Sequence, residues 1–121
     1  MTARIAPALG LAAVVLVLAA SAAASAPPVG PLPAGPTAKI TTARGELFAV
    51  ALPAQPSGRV WRLKGSIDTR VVREVREANV GSTVVIVFSA AGRGTTTLAY
   101  GSTKGETAKA YAAKRFTITV V

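Results

Sequence analysis

No cysteine and no histidine occur in the 121 residues. Without cysteine there is no disulfide framework, no thiolate metal site and no thiol nucleophile. Without histidine the commonest general base and metal ligand is missing as well. Acids are scarce: five Asp and Glu stand against fourteen Lys and Arg, a formal net charge of +9. The Ser and Thr hydroxyls therefore have no His, no Cys and no clustered Lys and carboxylate to activate them, which argues against an enzyme and against any metal or cofactor. Lys104-Gly105-Glu106 reads as exposed loop chemistry. Gly92 to Gly94 lacks the following helix and the Lys-Ser/Thr of a phosphate loop, and reads as a hairpin turn.

What the chain does have begins with an address. One charged side chain, Arg4, precedes an uncharged apolar run from Ile5 to Ala20 and then small residues, the order of a secretory signal peptide. Ala22 and Ala24 supply the small side chains that signal peptidase requires. Residues 1–24 are thus expected to be removed and the mature chain to start at Ser25, the alternative being an uncleaved membrane anchor. A lipidated anchor would need a cysteine at the junction. The expected location is secreted, periplasmic or in the cell envelope. Residues 25–37 contain five of the eight prolines. Such a stretch resists helix and sheet, and reads as a solvated spacer ahead of a domain at 38–121.

From Ala38 onward short alternating runs are separated by turn residues, the pattern of an all-β sandwich or barrel. Ala38 to Ala43 is a weak first strand. Leu47 to Leu52 is apolar on both faces, which suits a central strand. Pro53 to Gly58 must be a loop, because two prolines and a glycine cannot sustain a ladder. Val60 to Lys64 follows, with Trp61 and Leu63 inward and Arg62 and Lys64 outward. Ile67 to Asn79 alternates Val with Arg and Glu; its β-branched residues favour two short strands with a bend over a helix. Thr83 to Ala90, Thr95 to Tyr100 and Arg115 to Val121 are further strands, and residues 101–114 read as a long polar loop. About seven strands imply an immunoglobulin-like antiparallel β-sandwich. Its expected core includes Phe48, Val50, Leu52, Trp61, Leu63, Val72, Val84, Ile86, Phe88, Leu98, Tyr100, Phe116, Ile118 and Val120.

The basic residues Arg59, Arg62, Lys64, Arg70, Arg73 and Arg76 are crowded together. An exposed face carrying Arg62 and Lys64 is suited to anionic glycans, lipid headgroups or nucleic acid. Export sets intracellular nucleic acid aside, which leaves a solubilising face or a module that binds anionic envelope components.

Three stretches, LPAQPSGRVWRL from Leu52, VGSTVVIVFSAAGRGTTTLAY from Val80 and KRFTITVV from Lys114, resemble the chagasin-like inhibitors of papain-type cysteine peptidases. The resemblance spans residues 38–121 and implies an immunoglobulin-like domain. Three loops at one end of it would enter a peptidase cleft and block it without being cut. Gln55, Pro56, Ser57, Gly58 and Arg59 stand where that family has Asn-Pro-Thr-Thr-Gly-Tyr, one residue shorter, and Trp61 stands for its tryptophan. Gly81 and Ser82 match the start of the second loop. The third loop would begin at Gly101-Ser102-Thr103-Lys104, without the family's Arg-Pro-Trp, so Tyr111 is the one aromatic left for it. Trp61, in register with Leu63, reads as core. Arg59 in place of an aromatic would favour an acidic target.

Overall fold

The computed structural model describes residues 26–121. The expected signal peptide and its cleavage point before Ser25 lie outside the described residues. Seven strands form, β1 (Thr37–Thr42), β2 (Leu47–Leu52), β3 (Arg59–Lys64), β4 (Val72–Val80), β5 (Thr83–Ala90), β6 (Gly94–Lys104) and β7 (Ala110–Val120). They make two packed sheets, one ordered β1-β7-β6-β3 and the other β2-β5-β4. This is the all-β immunoglobulin-like sandwich that the alternating runs predict.

Alternation decides which side chains meet between the sheets. Leu52, Val72, Phe88 and Ile118 are fully buried, and Val50, Ile86, Leu98, Tyr100, Phe116 and Val120 nearly so. Phe48 stacks on Phe88 across β2 and β5, with ring centroids 5.5 Å apart, and Tyr100 meets Phe116 edge-on at 6.2 Å. Each large buried side chain contributes roughly 1.5–3 kcal/mol before ordering entropy is subtracted. Trp61, Leu63, Val84 and Phe48 are only half-buried, packed against this cluster.

The structure departs from the expected sandwich in four places. β1 runs parallel to β7, pairing Ala38 with Phe116 and Ile40 with Ile118, so the sandwich is not wholly antiparallel. β2 lies at a sheet edge despite its two apolar faces, and its outer side chains Leu47, Ala49 and Ala51 are exposed. Residues 67–79 form a turn and one strand rather than two. The bend is a bulge in β4 between Glu74 and Arg76, opposite Phe88 and Val87 of β5. Such a bulge twists an edge strand and discourages further strand pairing. Finally, β6 continues to Lys104 and β7 starts at Ala110, so the expected 101–114 loop shrinks to residues 105–109.

Residues 26–36 cover the part of β6 where that last difference lies. A proline-rich chain is rich in carbonyl acceptors and poor in N–H donors, so it needs donors from elsewhere. Arg62 and Lys64 of β3 and Arg115 of β7 supply them. Arg62 Nη2 donates to the Pro27 carbonyl, Lys64 Nζ to those of Val29 (3.1 Å) and Gly30 (3.0 Å), and Arg115 Nη2 to that of Pro33 (3.3 Å). Small outward residues make room beneath. A Cβ added at Gly101 would lie 2.8 Å from the Leu32 side chain and 3.0 Å from that of Val29. Val29 is buried there, and Gly101 and Thr103 are buried beneath the segment instead of being solvated. The expected spacer is therefore a strap across the outer face of the first sheet. Arg62 and Lys64, expected on a solvated face, are its clamps.

One measurement tests the strap and a second the core. Replacing Arg62 by Gln is expected to cost about 1 kcal/mol, since the freed carbonyls can still reach water. Amide exchange should speed up in residues 26–36 and 105–109 while the β5 and β7 amides are unaffected; uniform protection in the variant would show that the strap holds without the clamp.

The second concerns Tyr100, whose hydroxyl has no hydrogen-bond partner among the described residues. Burial first, and then the charges of Glu74 and Glu77, hold this phenol well above its usual value of 10.0. The unfolded chain loses the proton as pH passes about 10 while the folded one keeps it, so stability is full below that pH and declines above it. Tyr100→Phe is expected to gain about 1 kcal/mol at neutral pH and to flatten the alkaline decline. Urea melts at about pH 7 and about pH 11 read both effects.

Candidate functional site

Strand directions place three connections at one end of the sandwich. β2 ends at Leu52 beside Val84, β4 and β5 join through Gly81 and Ser82, and β3 starts at Arg59 opposite Lys104, where β6 ends. Segments 53–58, 81–82 and 105–109 thus lie together. The 43–46 and 65–71 turns, the latter closed by the Asp68–Arg70 ion pair (3.1 Å), lie at the other end.

The first segment is stiff for identifiable reasons. The Arg59 amide donates to the Pro56 carbonyl (3.2 Å), closing a turn in which Gly58 takes a φ of 85°. A residue with a Cβ is strained in that conformation. Trp61 is not purely a core residue: its indole Nε1 donates to the Pro53 carbonyl (2.8 Å) and ties the loop to β3. Pro56, Ser57 and Gly58 are exposed and Gln55 is half-buried. The second segment is a two-residue hairpin turn in which Gly81 has a φ of 65°, with Gly81 and Ser82 both exposed.

The third segment differs most from expectation. Gly101, Ser102 and Thr103 are buried within β6, and only Lys104 of that quartet is exposed. Their polar and small character resembles that of a turn, yet Thr103 Oγ1 is satisfied by the Gly105 carbonyl (2.6 Å) and Gly101 fits under the strap. The exposed segment is 105–109, which the strap side grips twice. Gly30 N donates to the Ala108 carbonyl (2.6 Å), and Arg62 Nη1 to that of Thr107 (2.8 Å).

Between the ends of β3 and β4 opens a cavity of about 310 Å³, lined by Gln55, Arg59, Trp61, Glu77, Asn79 and Ser82 among others. It joins the first two segments. Glu77 and Asn79 had no signal in the sequence beyond their place in a charged alternating run.

Beside the cavity stands Tyr111. The β6–β7 register shifts between Ser102 and Thr103, pairing Ser102 with Ala112 and Thr103 with Ala110, so Tyr111 is the extra residue of a bulge. Bulges re-aim side chains. This one presents its ring to three cations, Arg59 at 4.5 Å, Lys109 at 4.9 Å and Lys104 at 5.1 Å from the centroid. Sequence reasoning singled out Arg59 and Tyr111 separately; their meeting, and the part of Lys109, come from the fold.

With this geometry in view, the sandwich can be set beside known proteins. It superposes on EhICP2, a cysteine protease inhibitor from Entamoeba histolytica, over 74% of this chain and 99% of that one, with a TM-score of 0.54 and 16% sequence identity. The chain shares this inhibitor's fold. PbICP-C, solved in complex with falcipain-2, aligns over 78% of this chain and 96% of its own, with a TM-score of 0.48 and 15% identity. No protein-family model and no curated protein sequence matches the chain. The agreement is therefore one of architecture, in the form that the chagasin-like resemblance implied.

The Trp61 contact can be checked directly. Trp61→Phe keeps most of the packing and removes the donor, so a loss of about 1 kcal/mol is expected, with faster amide exchange confined to residues 54–59. Unchanged exchange there would show that the turn at Pro56 holds itself.

Proposed function

We propose that the protein is a reversible inhibitor of papain-like cysteine peptidases, acting by occupying the cleft with the end of the sandwich that carries segments 53–58, 81–82 and 105–109. The observation that carries this reading is the convergence of the three turns on the fold of a known cysteine protease inhibitor. Within it, Gln55, Pro56, Ser57, Gly58 and Arg59 form the first contact, Gly81 and Ser82 the second, and Lys104 with the 105–109 turn the third. Gly101, Ser102 and Thr103 support this last turn from within β6.

The physical case is preorganisation. A loop that must be ordered on binding loses affinity to the entropy of ordering, and each of these segments is already fixed. The Pro56–Arg59 turn and the Trp61 donor fix the first, the pairing of Val80 with Thr83 across a two-residue turn the second, and the strap the third. Blocking a cleft in this way requires no nucleophile, base or metal. Export from the cell, if residues 1–24 act as a signal peptide, would bring the inhibitor to peptidases outside the cytoplasm. The alternative, a module for anionic envelope components, draws on Arg62, Lys64, Arg70 and their neighbours; of these, Arg62 and Lys64 are engaged by strap and loop carbonyls and Arg70 pairs with Asp68.

Titration of the purified protein against papain-type peptidases is the test. Competitive, reversible inhibition without cleavage of the inhibitor is expected. Pro56→Gly should weaken it about fivefold through the restored flexibility of the turn, and lower the melting temperature by a few degrees through the freer unfolded chain. Absence of competitive inhibition at micromolar protein would sink the reading.

A further inference from the structure

Arg59 and Lys104 occupy opposing positions on adjacent strands, β3 and β6. Like charges placed directly opposite in a ladder destabilise it, and Lys109 adds a third positive charge around the same ring. Among the described residues the ion pair present is Arg70–Asp68, at the far end of the molecule, so no carboxylate lies within pairing distance of the three cations. Glu77 lines the same cavity as Arg59 without pairing with it, and Glu106 sits in the intervening turn without doing so either. The Tyr111 face offsets part of the repulsion and holds the cations in one place. A fold that keeps a locally unfavourable charge cluster at its loop end, around an aromatic that a bulge has turned to meet it, has the form of a receptor for negative charge.

We propose that Arg59, Lys104 and Lys109, gathered about Tyr111, capture carboxylate side chains on an acidic protein surface, and that this cluster selects partners with an acidic rim beside the occupied cleft. The partner's identity as a peptidase rests on the inhibitor reading above; the carboxylate site itself does not. A protein surface fits better than an extended polyanion because the three charges converge on one ring instead of forming a track. The basic groups that would extend such a track, Arg62 and Lys64, already hold the strap. Rim charges of this kind act mainly on the rate of encounter and are screened by salt.

The purified protein and an Arg59→Gln, Lys104→Gln, Lys109→Gln triple variant are titrated with a Glu-rich decapeptide, a Lys-rich decapeptide and a heparin octasaccharide. The Tyr111 ring resonances are followed by NMR. The Glu peptide is expected to shift them saturably, the triple variant to bind it at least tenfold more weakly, and the Lys peptide to have no effect. Removing like charges should leave the melting temperature of the variant equal or higher. Should the variant not fold, Lys109→Gln alone, in the exposed turn, repeats the test with a several-fold loss expected. Glu-peptide affinity unchanged by the substitutions would overturn the proposal, as would tighter binding of heparin than of the peptide, which would make the cluster a polyanion site. Because no peptidase enters this assay, a protein that inhibits nothing yet binds the Glu peptide at Tyr111 refutes the inhibitor reading and keeps the carboxylate site. With a peptidase that is inhibited, the triple variant should associate about tenfold more slowly at roughly 0.05 M salt and equally fast at roughly 0.5 M.

Discussion

The loop end depends on matching a chain segment with nearly twice as many backbone acceptors as donors to side chains that are purely donors. Residues 26–36 bring eleven carbonyls against six amides, and Arg62, Lys64 and Arg115 bring N–H groups with no lone pairs to satisfy. Water is the other partner open to both sets, because the segment cannot join a sheet and the cations have few carboxylates to pair with. Once joined, they cover the outer face of β6, which lets Gly101, Ser102 and Thr103 lie in a strand, and they anchor the 105–109 turn through Ala108 and Thr107. Part of the charge that composition alone would assign to a polyanionic partner is therefore spent inside the molecule.

Much of the fold was legible because alternation is a strong signal wherever one face is buried. Phe48, Val50 and Leu52, Val84, Ile86 and Phe88, and Phe116, Ile118 and Val120 each mark a core face at period two, and all lie against the core as that period requires. Legibility failed where the cause was tertiary. Gly101-Ser102-Thr103 has turn composition, and pairing with β3 on one side and β7 on the other, beneath the strap, makes a strand of it. Leu47, Ala49 and Ala51 suggest a covered face, but β2 ended up at an edge with those side chains in water. The parallel pairing of β1 has no local sequence signature at all, since period two is the same in either direction.

The site was legible in part. Gln55 to Arg59 and Gly81-Ser82 could be placed because Pro and positive-φ Gly positions announce turns. Lys109 could not, because its relevance comes from a one-residue register shift in β7 that turns Tyr111 toward it. Trp61 illustrates a mixed case. Its inward register was correctly read, but its indole N–H also reaches Pro53, so one residue serves both the sheet and the loop.

The direction of β1 decides where the two ends of the described chain lie. Because β1 runs alongside β7 in the same sense, the polypeptide enters the sandwich at the end where β7 begins, next to the three turns, and leaves at the opposite pole, where Val121 exchanges hydrogen bonds with Thr42 and Arg44. An antiparallel first strand would have sent the proline-rich segment to that far pole and left the 105–109 turn unsupported. It follows that the described chain begins beside the 105–109 turn, with Pro27 and Thr107 held by the same Arg62 guanidinium, and reaches Val121 a full strand length away.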